Sequence, residues 1–182
     1  MSRLSLPAAD QTPAASRPLL EAVHKKLGVV PNLMKMLSGS LVALGGYLGL
    51  NETLAKGTLG AKTGERIALA VAEFNRCAYC LAAHTYIASH MAKLDAREIA
   101  ANRAGTSGDP QADAAVRFAV KVAQERGHVS DADLAAVKDA GFSDAAIFEI
   151  VLHVALNTLT NYVNEVAQTD VDFPAVDLPR AA

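Results

Sequence analysis

The sequence predicts an all-α, single-domain helical bundle with extended N- and C-terminal arms, and three observations carry that reading. Apolar residues make up 51% of the 182 positions, yet aromatics make up only 5% and Trp is absent. The apolar content is therefore aliphatic and rich in alanine, as at Ala68, Ala70, Ala72, Ala82 and Ala83. Alanine is the strongest helix former and lets helices approach closely. Apolar positions recur at three- and four-residue spacing and do not alternate, so no strands are expected. Capping and stop residues divide the chain into segments of helical length.

Residues 1–16 (MSRLSLPAADQTPAAS) lack periodicity and read as an extended arm. Pro18 suits a first helical position, and Leu19, Leu20, Val23 and Leu27 form a stripe that Gly28 closes. Pro31 opens a second helix through Leu37. Ser38 or Ser40 caps a third, running to Leu54, with Gly45 and Gly46 as the place where it would break. Thr63 is the expected cap of a strongly apolar helix from Gly64 to Asn75, and the next helix runs from Cys77 to about Lys93. Asp95 followed by Glu98 reads as a capping box for a short helix ending near Gly105. The loop 106–110 launches a helix to Gly127, Ser130 caps another closed by Gly141, and Ser143 caps the last, from Asp144 to Gln168. Residues 169–182, with Pro174 and Pro179, are again extended. The expected organisation is thus an arm (1–16), a helical body (17–168) and a tail (169–182). Such ends suit wrapping around a neighbouring subunit.

Charge narrows the function. Seventeen Lys and Arg against nineteen Asp and Glu leave a net charge of −2, with no basic block to neutralise phosphates, so no nucleic-acid partner is expected. No uninterrupted apolar run approaches the roughly 18–20 residues of a membrane span, and residues 1–7 lack the apolar stretch of a secretory signal. The two cysteines fall within four consecutive residues and cannot staple a secreted fold, which favours a cytoplasmic setting with thiols kept for reactivity.

The chemically informative stretch is 65–90, ERIALAVAEFNRCAYCLAAHTYIASH. On a helix starting at Cys77, the residues Cys77, Cys80 and His84 share one face. Free backbone N–H groups and the positive end of the helix dipole stabilise a thiolate there. A thiolate so placed can attack a peroxide O–O bond, and a second cysteine can condense with the resulting sulfenic acid. His84 or Glu65 is available to move the proton, Glu65 being brought close if the preceding helix folds back after Asn75 and Arg76. By the helix argument alone, Cys77 is the better thiolate. Two other readings of the cysteines stay open: inert core residues, or half of a zinc site with His84 and His90. One helix cannot easily wrap four ligands around a tetrahedral ion, so no metal and no other cofactor is expected.

Glu149, His153, Asn157, Asn161 and Asn164 form a polar stripe on the last helix beside an apolar one of Ile147, Ile150, Val151, Val154 and Leu159. The plainer reading of that stripe is a solvated or subunit-facing surface; the sharper one puts His153 or Asn157 near the thiols. Phe74, Tyr79, Leu81 and Tyr86 are candidates for an apolar pocket, or for core packing.

Glu65, eleven residues, Cys77-Ala-Tyr-Cys80, three residues and His84 resemble the signature of the alkyl hydroperoxidase D (AhpD)-like, peroxidase-related branch of the carboxymuconolactone decarboxylase family. The resemblance covers about residues 40–125, and the stretch 141–166 is similar to the peroxidase-related members as well. It implies an all-α fold assembling as trimers or hexamers. It implies a peroxidase of antioxidant defence, or a disulfide reductase, acting on an organic hydroperoxide or hydrogen peroxide, with a thiol or lipoyl-bearing reductant. By the same resemblance Cys80 forms the sulfenic acid, Cys77 donates the proton and closes a Cys77–Cys80 disulfide, and Glu65 with His84 forms the proton relay. Tyr79 stands where the best-known members have His, and Tyr is a poor base near neutral pH. Two alternatives remain: the lactone decarboxylase chemistry that names the wider family, and a non-catalytic metal-binding or assembly module.

Overall fold

Alanine-rich helices pack around one of their own number. The computed structural model describes residues 2–8 and 10–177. The ends of the expected arm and tail at Met1, Ala9 and 178–182, with Pro179, lie outside the described residues. Nine α-helices and no strands are present among the described residues: α1 (Arg17–Leu27), α2 (Asn32–Leu37), α3 (Leu41–Leu54), α4 (Gly60–Phe74), α5 (Ala78–His90), α6 (Ala96–Arg103), α7 (Pro110–Gln124), α8 (Asp131–Asp139) and α9 (Asp144–Ala167). A 3-10 turn, Ala14–Ser16, sits inside the expected extended arm.

The central element is α4, which packs against α5, α6, α7 and α9. Its Ile67, Leu69 and Val71 have no solvent exposure, and small Ala68, Ala70 and Ala72 between them let four neighbours close in. One side of α4 joins Phe118, Val122, Val137, Ile150 and Val154. Another joins α5 and α6 through Ala88, Leu94 and Ile99. A third cluster, with Leu33, Leu37, Leu44, Tyr79 and Leu81, contains both cysteines.

Several boundaries differ from the sequence expectation, each for a local reason. Helix α3 runs unbroken through Gly45 and Gly46, capped by Ser40, which accepts the Ala43 N–H. Helix α4 begins at Gly60, before Thr63. Glu149 of α9 supplies the missing cap by accepting the Thr58 N–H and hydroxyl and the Leu59 N–H. Pro31 is the N-cap of α2 and not its first residue. Asp95 caps α6 through the Glu98 N–H, but Glu98 does not complete a capping box. Its carboxylate accepts instead from Arg66, Asn102, the Ser107 hydroxyl and the Gly108 N–H, pinning the α6–α7 loop to α4. Burial opposes ionisation of Glu98, yet these donors hold its pKa down to about 2.

The described ends fold back on their own body. Arg3 N–H donates to the Ala167 carbonyl. In the tail, Asp172 accepts from the Asn32 N–H and the Tyr79 hydroxyl, and the Asp177 carbonyl accepts from Arg103. Helix α9 has the length and mean hydropathy (1.3) of a membrane span although polar residues interrupt its apolar run; 44% of that window is buried inside the protein.

Candidate active site

The site is built at the reversal between α4 and α5. Arg76 takes a left-handed conformation (φ 56°), which turns the chain sharply enough to lay α5 back along α4. Cys77 is therefore the N-cap of α5 rather than its first helical residue, and the Cys80 N–H donates to its sulfur at 3.3 Å. Cys80 sits in the first turn, where unpaired N–H groups and the helix dipole favour an anion. Both cysteines are reduced and buried, with exposures of 0% for Cys77 and 3% for Cys80.

The antiparallel return of α4 places Glu65 one layer from His84, whose Nδ1 donates to Glu65 Oε2 at 2.9 Å. Their side chains are 20% and 21% exposed, so this pair is the wetter edge of an otherwise closed site. Burial opposes the imidazolium, but the Glu65 charge and hydrogen bond, aided by Cys80, outweigh it and raise the His84 pKa.

The two thiols separate in acidity. The hydrogen bond with Cys80 and burial together push the Cys77 thiol far up. Cys80 moves down to about 7: the Cys77 hydrogen bond is the largest cause, burial works against it, and the His84 charge, Asn164 and Asn161 add to it. The helix-dipole argument from sequence favoured Cys77 as the thiolate, whereas the His84 charge and the Asn164 amide act on Cys80 and favour the anion there.

Asn164 Nδ2 donates to Cys80 Sγ at 3.3 Å from α9. Asn161 lies beside the same sulfur, oriented by Asn75, whose Nδ2 donates to Asn161 Oδ1 at 2.8 Å. Asn157, Asn161 and Asn164 are all buried, which corrects the reading of this stripe as a solvated or subunit-facing surface. A signal was available: between Ile150 and Asn164 the helix carries no Lys, Arg, Asp or Glu, whereas a solvated face would. Asn157 donates to the His153 carbonyl, and His153 packs against Gly64, where an added Cβ would come within 2.9 Å of its ring. His153 thus buttresses the start of α4, and Asn157 fixes the turn of α9 that carries it. Burial lowers the His153 pKa, although Glu65 and Glu149 act the other way.

Tyr79 is likewise moved out of the relay. Its hydroxyl accepts the Leu33 N–H at 3.1 Å and donates to Asp172 at 2.8 Å, and its ring meets Phe173 edge-on. It anchors the tail. Tyr47 of α3, not foreseen from sequence, packs against the cysteine cluster. Burial first, then the charges of Glu65 and Cys80, push its phenol up to about 12, so it stays protonated at neutral pH.

The four residues of the zinc alternative are not drawn together. His90 stacks on Tyr86 and points Nδ1 to its carbonyl, and no cluster of three or more potential ligands occurs among the described residues. Nor do Phe74, Tyr79, Leu81 and Tyr86 share one pocket: Leu81 and Tyr79 are core, while Phe74 and Tyr86 are exposed. Two surface cavities, of about 340 and 530 Å³, lie at the starts of α4, α7 and α9 and against α7 and α8, away from the cysteines.

Comparison with known proteins agrees with this architecture. No curated protein matches the sequence. A peroxidase-related protein from Silicibacter sp. TM1040 superposes with a TM-score of 0.82 at 25% identity, over 93% of this chain and 91% of that one. An AhpD-core, peroxidase-related protein from Ralstonia eutropha JMP134 gives 0.84 at 24%, over 94% and 92%. A cysteine-to-alanine variant of the debrominase Bmp8, bound to 2,3,4-tribromopyrrole, gives 0.78 at 18%, over 94% of each chain. Residues 43–121, which hold Glu65, both cysteines and His84, match the model of the carboxymuconolactone decarboxylase family, and the fold is similar to that of the AhpD-like, peroxidase-related structures.

Proposed function

We propose that the protein is a dithiol oxidoreductase that reduces hydroperoxides, cycling Cys77 and Cys80 between thiols and a disulfide. The observation that carries this reading is the convergence on the buried Cys80 sulfur of the Cys77 thiol, the Asn164 amide and the His84–Glu65 pair, which together bring Cys80 down to about 7. The Cys80 thiolate attacks the distal oxygen of a hydroperoxide. The O–O bond breaks, Cys80 becomes a sulfenic acid, and the leaving alkoxide takes a proton from His84, whose charged form Glu65 favours. The Cys77 thiol then attacks the Cys80 sulfur, expelling the hydroxyl group as water and closing the disulfide. A dithiol reductant, small or protein-borne, restores both thiols by exchange, its own pair leaving as a disulfide.

Asn161 and Asn164 supply neutral donors to the Cys80 sulfur, stabilising the anion without the electrostatic cost of a second buried cation. Tyr47, protonated at neutral pH, packs against the same cluster. Assembly from several copies and a cytoplasmic setting, where such dithiols are kept reduced, belong to the same reading. Decarboxylation draws less support, because it leaves the thiol pair and the amides around it without a role.

Thiol titration before and after tert-butyl hydroperoxide tests the proposal. Two thiols per chain should be lost together and recovered with dithiothreitol. Retention of both thiols under excess peroxide would exclude it.

A further inference from the structure

The face of α9 opposite the asparagines is apolar and open. Phe148, Leu152, Leu159, Tyr162 and Val166 are 41–70% exposed, and Ala155 between them is exposed too. They follow one another at intervals of four and three, the seam spacing of helices that pack side by side. A soluble surface seldom leaves so continuous a stripe uncovered.

We infer that this stripe is an isologous interface, in which α9 of one copy packs antiparallel on α9 of a second copy about a two-fold axis at Ala155. The order of side chains carries the inference, because the seam reads nearly the same in both directions. With Ala155 opposite itself, Phe148 of one copy faces Tyr162 of the other, and Leu159 faces Val151, one residue from Leu152. The smallest side chain falls at the crossing point, where helix axes approach to about 8–10 Å. The aromatic pairs fall on either side of it.

Charge agrees with this register. Glu165 lies opposite Ala145 and Glu149 opposite Asn161, so no like charges meet, and Glu149 is already turned inward onto Thr58 and Leu59. Half-exposed side chains of this size offer on the order of 500 Å² per copy, about 1,000 Å² in all, which reaches the range of specific interfaces. A lipid surface is the poorer occupant. Helix α9 contains no Lys or Arg, whereas interfacial helices carry basic flanks, and its charged residues are Asp144, Glu149 and Glu165. The interface lies on the back of the helix that delivers Asn161 and Asn164 to Cys80, and it does not depend on the redox assignment.

Sedimentation of the full chain, with cross-linking in a Cys77→Ser/Cys80→Ser background, tests the interface. Leu159→Glu should halve the mass of the assembly while the helical circular dichroism spectrum is retained. Ala155→Cys should cross-link to itself under mild oxidation, and Ala145→Cys should cross-link only when mixed with Glu165→Cys. A monomeric wild type would overturn the inference. So would an assembly that survives Leu159→Glu with no Ala155→Cys cross-link, or binding of the wild type to phosphatidylcholine–phosphatidylglycerol vesicles through this face.

Discussion

Asn164 donates its amide to the Cys80 sulfur at 3.3 Å across eighty-four residues of sequence, joining the last helix of the fold to the first turn of α5. The contact converts a local two-cysteine motif into a site that exists only when α9 is docked.

Removing that donor should leave the fold and weaken the anion. In Asn164→Ala, the midpoint for alkylation of Cys80 should rise from about 7 by on the order of one unit, equivalent to about 1.4 kcal/mol. The pH dependence of iodoacetamide labelling, read by mass spectrometry, checks this. An unmoved midpoint would reduce Asn164 to a packing residue.

Glu65 acts through His84, so its loss should appear as a pH effect. His84 has a raised pKa; its charged form, and the stability of the Glu65 pair, are present below about 6.5 and are lost as pH rises through the folded value. Peroxide oxidation should therefore rise with pH as Cys80 ionises and fall again as His84 loses its proton. Glu65→Gln should move the falling limb to lower pH and slow oxidation by about 10²-fold near neutrality. Stopped-flow oxidation across pH gives the profile, and an identical one in the variant would remove Glu65 from the relay.

Tyr79 has a different assignment. Tyr79→Phe loses two hydrogen bonds that hold Asp172 and Leu33, at a cost of about 1–2 kcal/mol. Hydrogen exchange should quicken in residues 169–177 while the Cys80 labelling midpoint stays in place. A shifted midpoint with an unchanged tail would return Tyr79 to the relay.

Glu98 offers a test of the scaffold alone. Its depressed pKa contributes stability above its ordinary 4.5 that is lost as pH falls toward about 2. Glu98→Gln should lower stability by about 2 kcal/mol at pH 7, and urea denaturation should show that difference shrinking in acid. A constant difference would show that packing, and not charge, is what Glu98 contributes.

The sequence made much of this legible. Local rules placed α1, α3, α8 and α9, because Gly28, Ser40, Ser130 and Ser143 act on their own neighbours. The meeting of Cys77, Cys80 and His84 follows from helical spacing, and Glu65 joins them once the chain reverses at Arg76. What escaped local reading depends on distant partners. Helix α4 starts early because Glu149, far along the chain, caps it. Tyr79 turns from the thiols because Asp172 of the tail claims its hydroxyl. The asparagines of α9 seemed a wet face because a single helix cannot say which of its stripes meets the core. Asn157, Asn161 and Asn164 are inside beside Ile147, Ile150 and Val154, while Phe148, Leu152, Tyr162 and Val166 stay exposed.

The most direct measurement is sulfenic acid trapping with a dimedone-type probe after one equivalent of hydroperoxide, in Cys77→Ser and in Cys80→Ser. A trapped adduct on Cys80 in the first variant and none in the second is the predicted result. Equal trapping on whichever cysteine remains, or trapping on Cys77 alone, would contradict it.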